Sequence, residues 1–201
     1  MIPVSISDAA PSDFIPAGNI GIVAGIRHFI VENVRTARRF LRRCDPSFPI
    51  GDCTFCELNG HTDPNEIHSF LEPLRKGQPV GMMSEAGCPG VADPGASVAA
   101  IAQREGLKTV PLAGPSSILM SLMASGFNGQ GFSFNGYLPI SDAEKAKRVR
   151  ELESTAAKTG MTQIFIETPY RNNRTVALLA ETLRPDTLLC VASGITDPEK
   201  E

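Results

Sequence analysis

A chain of 201 residues with 42% hydrophobic and 20% charged residues can bury a real core, as one compact α/β domain or two small ones, and is not an intrinsically disordered chain. Its net charge of −3 and pI near 5.7 exclude a protein that coats nucleic acid with its whole surface, so any RNA contact has to be local. No apolar run approaches membrane-span length, and the stretch MIPVSISDAAPSDFIPAG lacks the basic start and apolar core of a signal peptide. With five cysteines, an odd number that does not read as a disulfide framework, the expected compartment is the cytoplasm, with no membrane partner.

After a turn-rich start, short apolar runs predict strands at 20–23 (IGIV), 28–31 (HFIV), 54–58 (TFCEL), 79–84 (PVGMMS), 108–112 (KTVPL), 132–138 (FSFNGYL), 163–167 (QIFIE) and 188–193 (LLCVAS). Helix-length segments fall between most of them, at 34–43, 65–76, 95–105, 116–125, 142–158 and 171–183. Strands alternating with helices imply βαβ units and largely parallel sheets covered on both faces, so the class is α/β. Two helix starts are marked. Ser141 and Glu144 form a capping box, and Asp93-Pro94 supplies an N-cap followed by proline at the first helical position. An interdomain boundary is expected near residue 113, in VPLAGPSS, giving domains 1–113 and 114–201.

Within the first of the long helices the arginines Arg35, Arg38, Arg39, Arg42 and Arg43 fall three, four, seven and eight residues apart. They share one face, with Val34, Ala37 and Leu41 on the other. Such a stripe is either a solvated outer face or a grip for phosphates. Cys53 and Cys56 form a CxxC with Cys44 upstream and His61 downstream. A second paired ligand motif is missing and the pair runs into a strand, so no metal is expected. His28 and His68 read as structural, whereas His61 sits among Glu57, Asn59 and Asp63, where a base could be oriented or an ordinary turn made.

The sequence has no GxGxxG after a strand, no Walker A motif and no GxSxG. It does have SEAGCPGVADPGA, residues 84–96, which places three glycines and two prolines between an apolar run and an alanine-rich segment. Glycine lets a ligand approach the main chain and proline fixes φ, so the stretch is either a tight crossover or a loop whose backbone N–H groups hold a polar ligand. It is one of three polar loops at strand ends, with Gly114–Ser117 and Glu167–Arg171. Ligands of open α/β sheets bind beyond the carboxyl ends of strands, which favours the ligand loop.

SEAGCPGVADPG resembles the SDAGTPxxSDPG loop of the tetrapyrrole methylase superfamily, in its ribosomal RNA small-subunit (cytidine 2′-O-ribose) methyltransferase branch. LAGPSSILMSLMASG is similar to that branch's LPGPSAxxxALxxSG, FSFNGYLP to FxFxGFLP, IFIETPYR to its ESPHR strand end, and VENVRTAR to AEDTRxTR. The five motifs occur in order over most of the chain. The resemblance implies a two-domain tetrapyrrole-methylase-like fold (class III methyltransferase), typically a homodimer, with S-adenosylmethionine in the interdomain cleft. It implies that Ser84, Glu85, Ala86 and Gly87 line the methionyl end of the cofactor, that Ser116, Ser117 and Ile118 meet the nucleoside, and that Ile166 and Ala192 contribute backbone or apolar contacts. The implied acceptor is ribosomal RNA or the small ribosomal subunit, with Arg35, Arg38, Arg39 and Arg42 as phosphate contacts. Glu32 and Glu167, which stand in matching motifs, rank as candidate bases ahead of His61.

The chain departs from the pattern at Glu85 (usually Asp), Cys88 (usually Thr), Asn33 (usually an acid) and Ser7 (where glycine is expected). Both ends look short against the family, so the second domain is expected to be incomplete at its C-terminal end. Two alternatives stay open: methylation of a tetrapyrrole or corrinoid precursor or other small molecule, and a non-catalytic cofactor-binding module.

Overall fold

The protein was analysed as a computed structural model that describes residues 1–197 and 199. It divides into two compact units, Met1–Ser117 with Gly194–Glu201, and Ile118–Ser193. The chain thus enters the second unit four residues after the position expected from composition, and its last stretch rejoins the first. Among the described residues no helix is long and apolar enough to cross a membrane.

In the first unit the strands β1 (His28–Val31), β2 (Thr54–Glu57) and β3 (Val80–Met83) form a parallel sheet of order β2-β1-β3. Residues alternate between the faces of a strand, so Phe29 and Val31 enter one core while Ile30 enters the other. The first core adds α1 (Ala17–Ala24) and α2 (Val34–Cys44), through Val23, Ala37, Phe40 and Leu41; the second adds α3 (Pro64–Phe70) and α5 (Gly95–Arg104), through Ile67, Val98 and Ile101. Cover on both faces explains why these strands read as continuous apolar runs. A short helix, α4 (Glu72–Arg75), completes the 65–76 segment.

Three predicted strands are absent. Residues 20–23 lie in α1, which Pro16 precedes and Gly25 follows. Its buried residues, Asn19 and Val23, are four apart, and the Asn19 amide donates to the Ala113 carbonyl at 2.7 Å. A short apolar run has no period that separates a helix from a strand, and here the helical spacing buries the right pair. Residues 108–112 form no strand because their partner is only the start of the chain: the Met1 amino group donates to Val110 O at 2.9 Å and Leu112 N–H to Met1 O at 3.0 Å. Residues 188–193 also take no strand assignment, with Leu188, Leu189 and Val191 exposed.

That N-terminal segment lies against glycine. A Cβ on Gly114 would stand 2.3 Å from Pro3 Cγ and 2.4 Å from Pro3 Cβ. Gly114→Ala should therefore lower unfolding stability by about 1–3 kcal/mol, the usual cost of overpacking, and urea titration of the variant beside the wild type measures it.

In the second unit α6 (Ser117–Ser125, its first residue in the first unit) is followed by β4 (Phe132–Tyr137), α7 (Asp142–Thr159), β5 (Thr162–Ile166) and α8 (Asn172–Thr182). The two strands are parallel. The register shifts between Phe134 and Tyr137, where Gly136 takes φ +66°. Ser141 caps α7 by accepting the Glu144 N–H at 3.3 Å, as the capping box predicts, and Gly160 ends the helix in the left-handed region. The core is small: Leu138, Val149, Leu152 and Leu179, with Phe165, Leu178 and Leu183 packed around it.

Candidate functional site

Parallel pairing fixes the geometry at the carboxyl end of the first sheet. Val31 stands opposite Met83, so the chains leaving β1 and β3 emerge side by side, and the Glu32 N–H donates to Met83 O at 3.2 Å. The Glu32 carboxylate accepts the Glu85 N–H at 3.0 Å. Burial holds its pKa above the ordinary carboxylate value. The Glu85 N–H opposes that shift, and the charges of Glu85 and Asp93 reinforce it. Asn33, in place of the usual acid, caps α2 by accepting from the N–H groups of Arg35 (2.9 Å) and Thr36 (3.2 Å). An amide oxygen performs that task without adding another negative charge beside Glu32 and Glu85.

The glycine- and proline-rich loop is held by its own side chains and by the N-terminal segment. Ser84 is buried and its hydroxyl donates to Ala86 O at 3.2 Å. Gly87 takes φ +69°, its carbonyl accepts the Val4 N–H at 2.9 Å, and a Cβ there would press on Ile6 at 3.4 Å. The Asp93 carboxylate accepts the N–H groups of Gly90 (2.9 Å) and Gly95 (2.7 Å), tying the loop to the first turn of α5. Cys88, where the family pattern has a hydroxyl, directs its thiol to Pro115 O at 3.4 Å, and burial raises its pKa. A protonated, engaged thiol is no nucleophile at neutral pH.

Between this loop, α2 and residues 4–8 lies a cavity of about 400 Å³. Ser84, Glu85 and Ala86 form one wall, and Thr36, Arg39, Phe40 and Arg43 another. The N-terminal segment supplies Ser5, Ser7 and Asp8, and the returning tail supplies Gly194 and Asp197. The Thr196 hydroxyl donates to Ser7 Oγ at 2.9 Å, which fastens that tail in place. The buried Ser5 hydroxyl has no hydrogen-bond partner among the described residues. Buried polar atoms are almost always satisfied, so this hydroxyl on the cavity wall is a group that a polar ligand atom could bond.

Sequence reasoning missed Ser5, Asp8, Thr36 and Asp197 as lining residues. Thr36 was one residue from the arginine stripe and Ser5 two from the position marked at Ser7. Nothing local to the last residues signalled a return to the first unit.

The arginine stripe is exposed, yet it is not uniform. Arg38 lies over the Phe55 ring at 5.0 Å, Arg42 donates to Pro46 O at 2.6 Å, and Arg43 donates to the carbonyls of Asp8 (2.8 Å) and Ala9 (2.7 Å). Arg35 and Arg39 make no hydrogen bond or ion pair through their guanidinium groups among the described residues, and Arg39 reaches the cavity wall.

In the second unit Glu167 sits in a buried network. Its Oε2 accepts from Lys145 Nζ (2.9 Å) and the Thr175 hydroxyl (2.9 Å), and its Oε1 from the Thr168 N–H (2.8 Å) and Arg171 (2.7 Å). Lys145 is 1% exposed and the Glu167 side chain 7%. Burial alone would raise the Glu167 pKa, but the Thr168, Lys145 and Thr175 hydrogen bonds together hold it below the ordinary value. Both oxygens are committed, which suits a structural carboxylate. Ile118, Ile166 and Ala192 also belong to this unit, Ile166 opposite Tyr137 in the β4–β5 ladder.

No family model matches the chain. Curated relatives do. It is 30% identical over 178 residues to ribosomal RNA small subunit methyltransferase I of Vibrio cholerae, covering 83% of this chain and 59% of that one. It is 36% identical over 136 residues to the protein of the same name from Neisseria meningitidis serogroup B, covering 68% and 45%. The chain belongs to the ribosomal RNA small subunit methyltransferase I family. A relative of that name from Bacillus subtilis is 35% identical over 141 residues, 70% of this chain and 47% of its own. The chain spans about half the length of these methyltransferase I relatives. A solved structure of the methyltransferase CobJ shares the fold, with TM-score 0.54 and 18% identity over 86% of this chain and 72% of that one.

Of the positions at which the sequence matches methyltransferase I motifs, Glu32, the Arg35–Arg42 stripe, Ser84–Gly87, Ser116 and Ser117 all lie in the first unit. There Glu32, Glu85, Ser84 and Ala86 meet at the sheet end. Gly87 joins them through Val4, and Pro115, next to Ser116, approaches Gly87 with its carbonyl 3.6 Å from the place of a Cβ. Among the described residues no three His, Cys, Asp or Glu side chains are grouped to hold a metal ion. Burial raises the thiol pKa of Cys53 and Cys56 and pushes that of Cys44 up to about 11.

Proposed function

We propose that the chain is a methyltransferase that uses S-adenosylmethionine to methylate a ribose 2′-hydroxyl of small-subunit ribosomal RNA. The observation that carries this reading is the orphan Ser5 hydroxyl in a cavity with a glycine loop on one side and an arginine helix on the other. The residues present fit the cofactor. Ser84, Glu85, Ala86 and Gly87 would hold its methionyl end, Glu85 as the carboxylate for the α-amino group and the exposed loop N–H groups for the α-carboxylate. The cofactor supplies a sulfonium methyl: its C–S bond breaks, an O–C bond forms to the ribose oxygen, and S-adenosylhomocysteine leaves.

The hydroxyl proton must go elsewhere, and Glu32 takes it as general base. Its carboxylate lies at the sheet end beside the loop, its pKa is raised toward the working range by burial, and it becomes neutral as the sulfonium charge disappears. Ser84, buried and bonded to Ala86 O, holds the loop backbone in shape. Arg35 and Arg39 would take RNA phosphates, with Arg38 and Arg42 extending the basic face. A homodimer belongs to the same reading. The apolar side chains exposed on the second unit, Met123 (82%), Leu188 (79%) and Ile140 (78%) among them, would support it.

Calorimetric titration with S-adenosylhomocysteine tests the cofactor half. Micromolar binding by the wild type, lost in a folded Gly87→Val variant, is expected, because valine cannot take φ +69° without moving the loop. A folded wild type that does not bind would sink the reading. Transfer of labelled methyl to unmodified small ribosomal subunits tests the acceptor half.

A further inference from the structure

The stretch that returns to the first unit contributes Gly194 and Asp197 to the cavity wall. We propose that residues 194–197 are a strap that gates this cavity, latched shut by Ser7 and Thr196 and released by strain in the strap's own backbone. The ligand it retains is that of the methyltransferase reading above; the strap itself belongs to the chain and is measurable without a ligand.

The strap is a tight turn, in which the Asp197 N–H donates to Gly194 O at 2.8 Å. Within it Thr196 takes φ +71°. That left-handed backbone is easy for glycine or asparagine, but a β-branched side chain crowds it, and it persists only where the surroundings hold it. Ser7 supplies the hold. The Thr196 hydroxyl donates to Ser7 Oγ at 2.9 Å, and the Ser7 hydroxyl donates to Thr196 O at 3.3 Å. Ser7 Oγ also accepts the Ala9 N–H at 3.2 Å, so its one donor and both its acceptor sites are filled.

Two opposed contributions thus meet at Thr196: strain that an open strap relieves, and hydrogen bonds that only a closed strap makes. Neutral hydrogen bonds exchanged against water and one left-handed threonine are of similar size, so neither form wins by much. Such a balance is shifted by a ligand that touches the wall in the closed form alone. Ser7 also stands where the family pattern has glycine. Glycine has no side chain, so the latch is this chain's own and not a general support of the fold. Opening it leaves the neighbouring ties standing: the Val4 N–H still meets Gly87 O, and Asp93 still joins Gly90 to Gly95.

Two measurements test the strap. In the ligand-free chain, hydrogen exchange at the Asp197 amide should quicken about fivefold in Ser7→Ala and in Thr196→Val, the worth of a neutral hydrogen bond, while the Val4 amide keeps its wild-type rate. Thr196→Ser keeps the hydroxyl and loses the branch, so its Asp197 amide should exchange more slowly than in the wild type. Stopped-flow mixing with S-adenosylhomocysteine should show Ser7→Ala faster in both association and dissociation, with Kd changed by less than either rate, and Thr196→Ser slower in both. Combining Ser7→Ala with Thr196→Val should match Ser7→Ala alone, since both break one latch. An unchanged Asp197 amide in Ser7→Ala would leave no latch, a Val4 amide that quickens with it would mean a general loss of stability, and faster dissociation with unchanged association would mean a contact rather than a gate. Each of these would overturn the inference while leaving the methyltransferase reading in place. A folded wild type that does not take S-adenosylhomocysteine would overturn that reading instead, and the exchange rates of the ligand-free chain would still decide whether the strap exists.

Discussion

Replacing Lys145 by methionine should cost the second unit about 1–3 kcal/mol, because it leaves the buried Oε2 of Glu167 without its ammonium while Arg171 still pairs with Oε1. The methionine fills similar volume, so the loss would be electrostatic rather than a cavity effect. Equilibrium urea unfolding measures it, and adding Glu167→Gln to the same chain should return part of the loss by neutralising a carboxylate whose Oε2 has lost its ammonium. If the double variant is no better than Lys145→Met, the ion pair is not what holds α7, β5 and α8 together. The same network predicts an acid response. The folded-state pKa of Glu167 is depressed, so its contribution is complete above the ordinary carboxylate range and is lost as pH falls through the lower folded value. Unfolding of this unit followed by near-ultraviolet signals should show a transition there that Glu167→Gln removes.

Glu32→Gln should reduce methyl transfer to RNA about 10²- to 10⁴-fold, the usual worth of a positioned general base, while S-adenosylhomocysteine binding stays near the wild-type value. Glutamine keeps the acceptor for the Glu85 N–H, so the loop retains its anchor. The pH profile is the sharper readout. A base works ionised, and burial raises the Glu32 pKa, so transfer should rise with pH through a value above that of an ordinary glutamate. For stability the sign is opposite. A raised folded pKa means the folded chain binds its proton more readily, so Glu32 weighs against the fold at neutral pH and that penalty fades as pH falls through the raised value. Equal transfer by Glu32→Gln would remove Glu32 as the base.

The α/β class, five of the eight predicted strands and the helices between them were legible because alternation of short apolar runs with amphipathic segments is set by burial on two faces of a parallel sheet. The strand expected at 20–23 became α1 because four residues cannot declare a period, and the deciding contact, Asn19 to Ala113, spans most of the unit. The extended run 108–112 found only Met1 to bond with. At the site, loop 84–96 announced itself through glycine and proline, whose roles are local. The cavity wall did not: Ser5, Asp8 and Asp197 meet only after the sheet has formed and the tail has crossed back to Ser7. The arginines were visible as a stripe, but which of them are occupied was not, since Phe55, Pro46 and the carbonyls of residues 8 and 9 lie outside the helix.

The pairing of Val31 with Met83 has a consequence for how the protein tolerates change. Glu32 owes its place to a count of residues: it is the first position after a four-residue strand whose neighbour ends at the same level. Inserting one residue within 28–31 would preserve every motif a reader of the sequence could find, yet would turn the acid to the other side of the sheet, away from Glu85. Drift in this chain is thus constrained by strand length as well as by side-chain identity. Insertions should be far easier to accept at 59–62 or 77–79, where no functional position is indexed to the ladder.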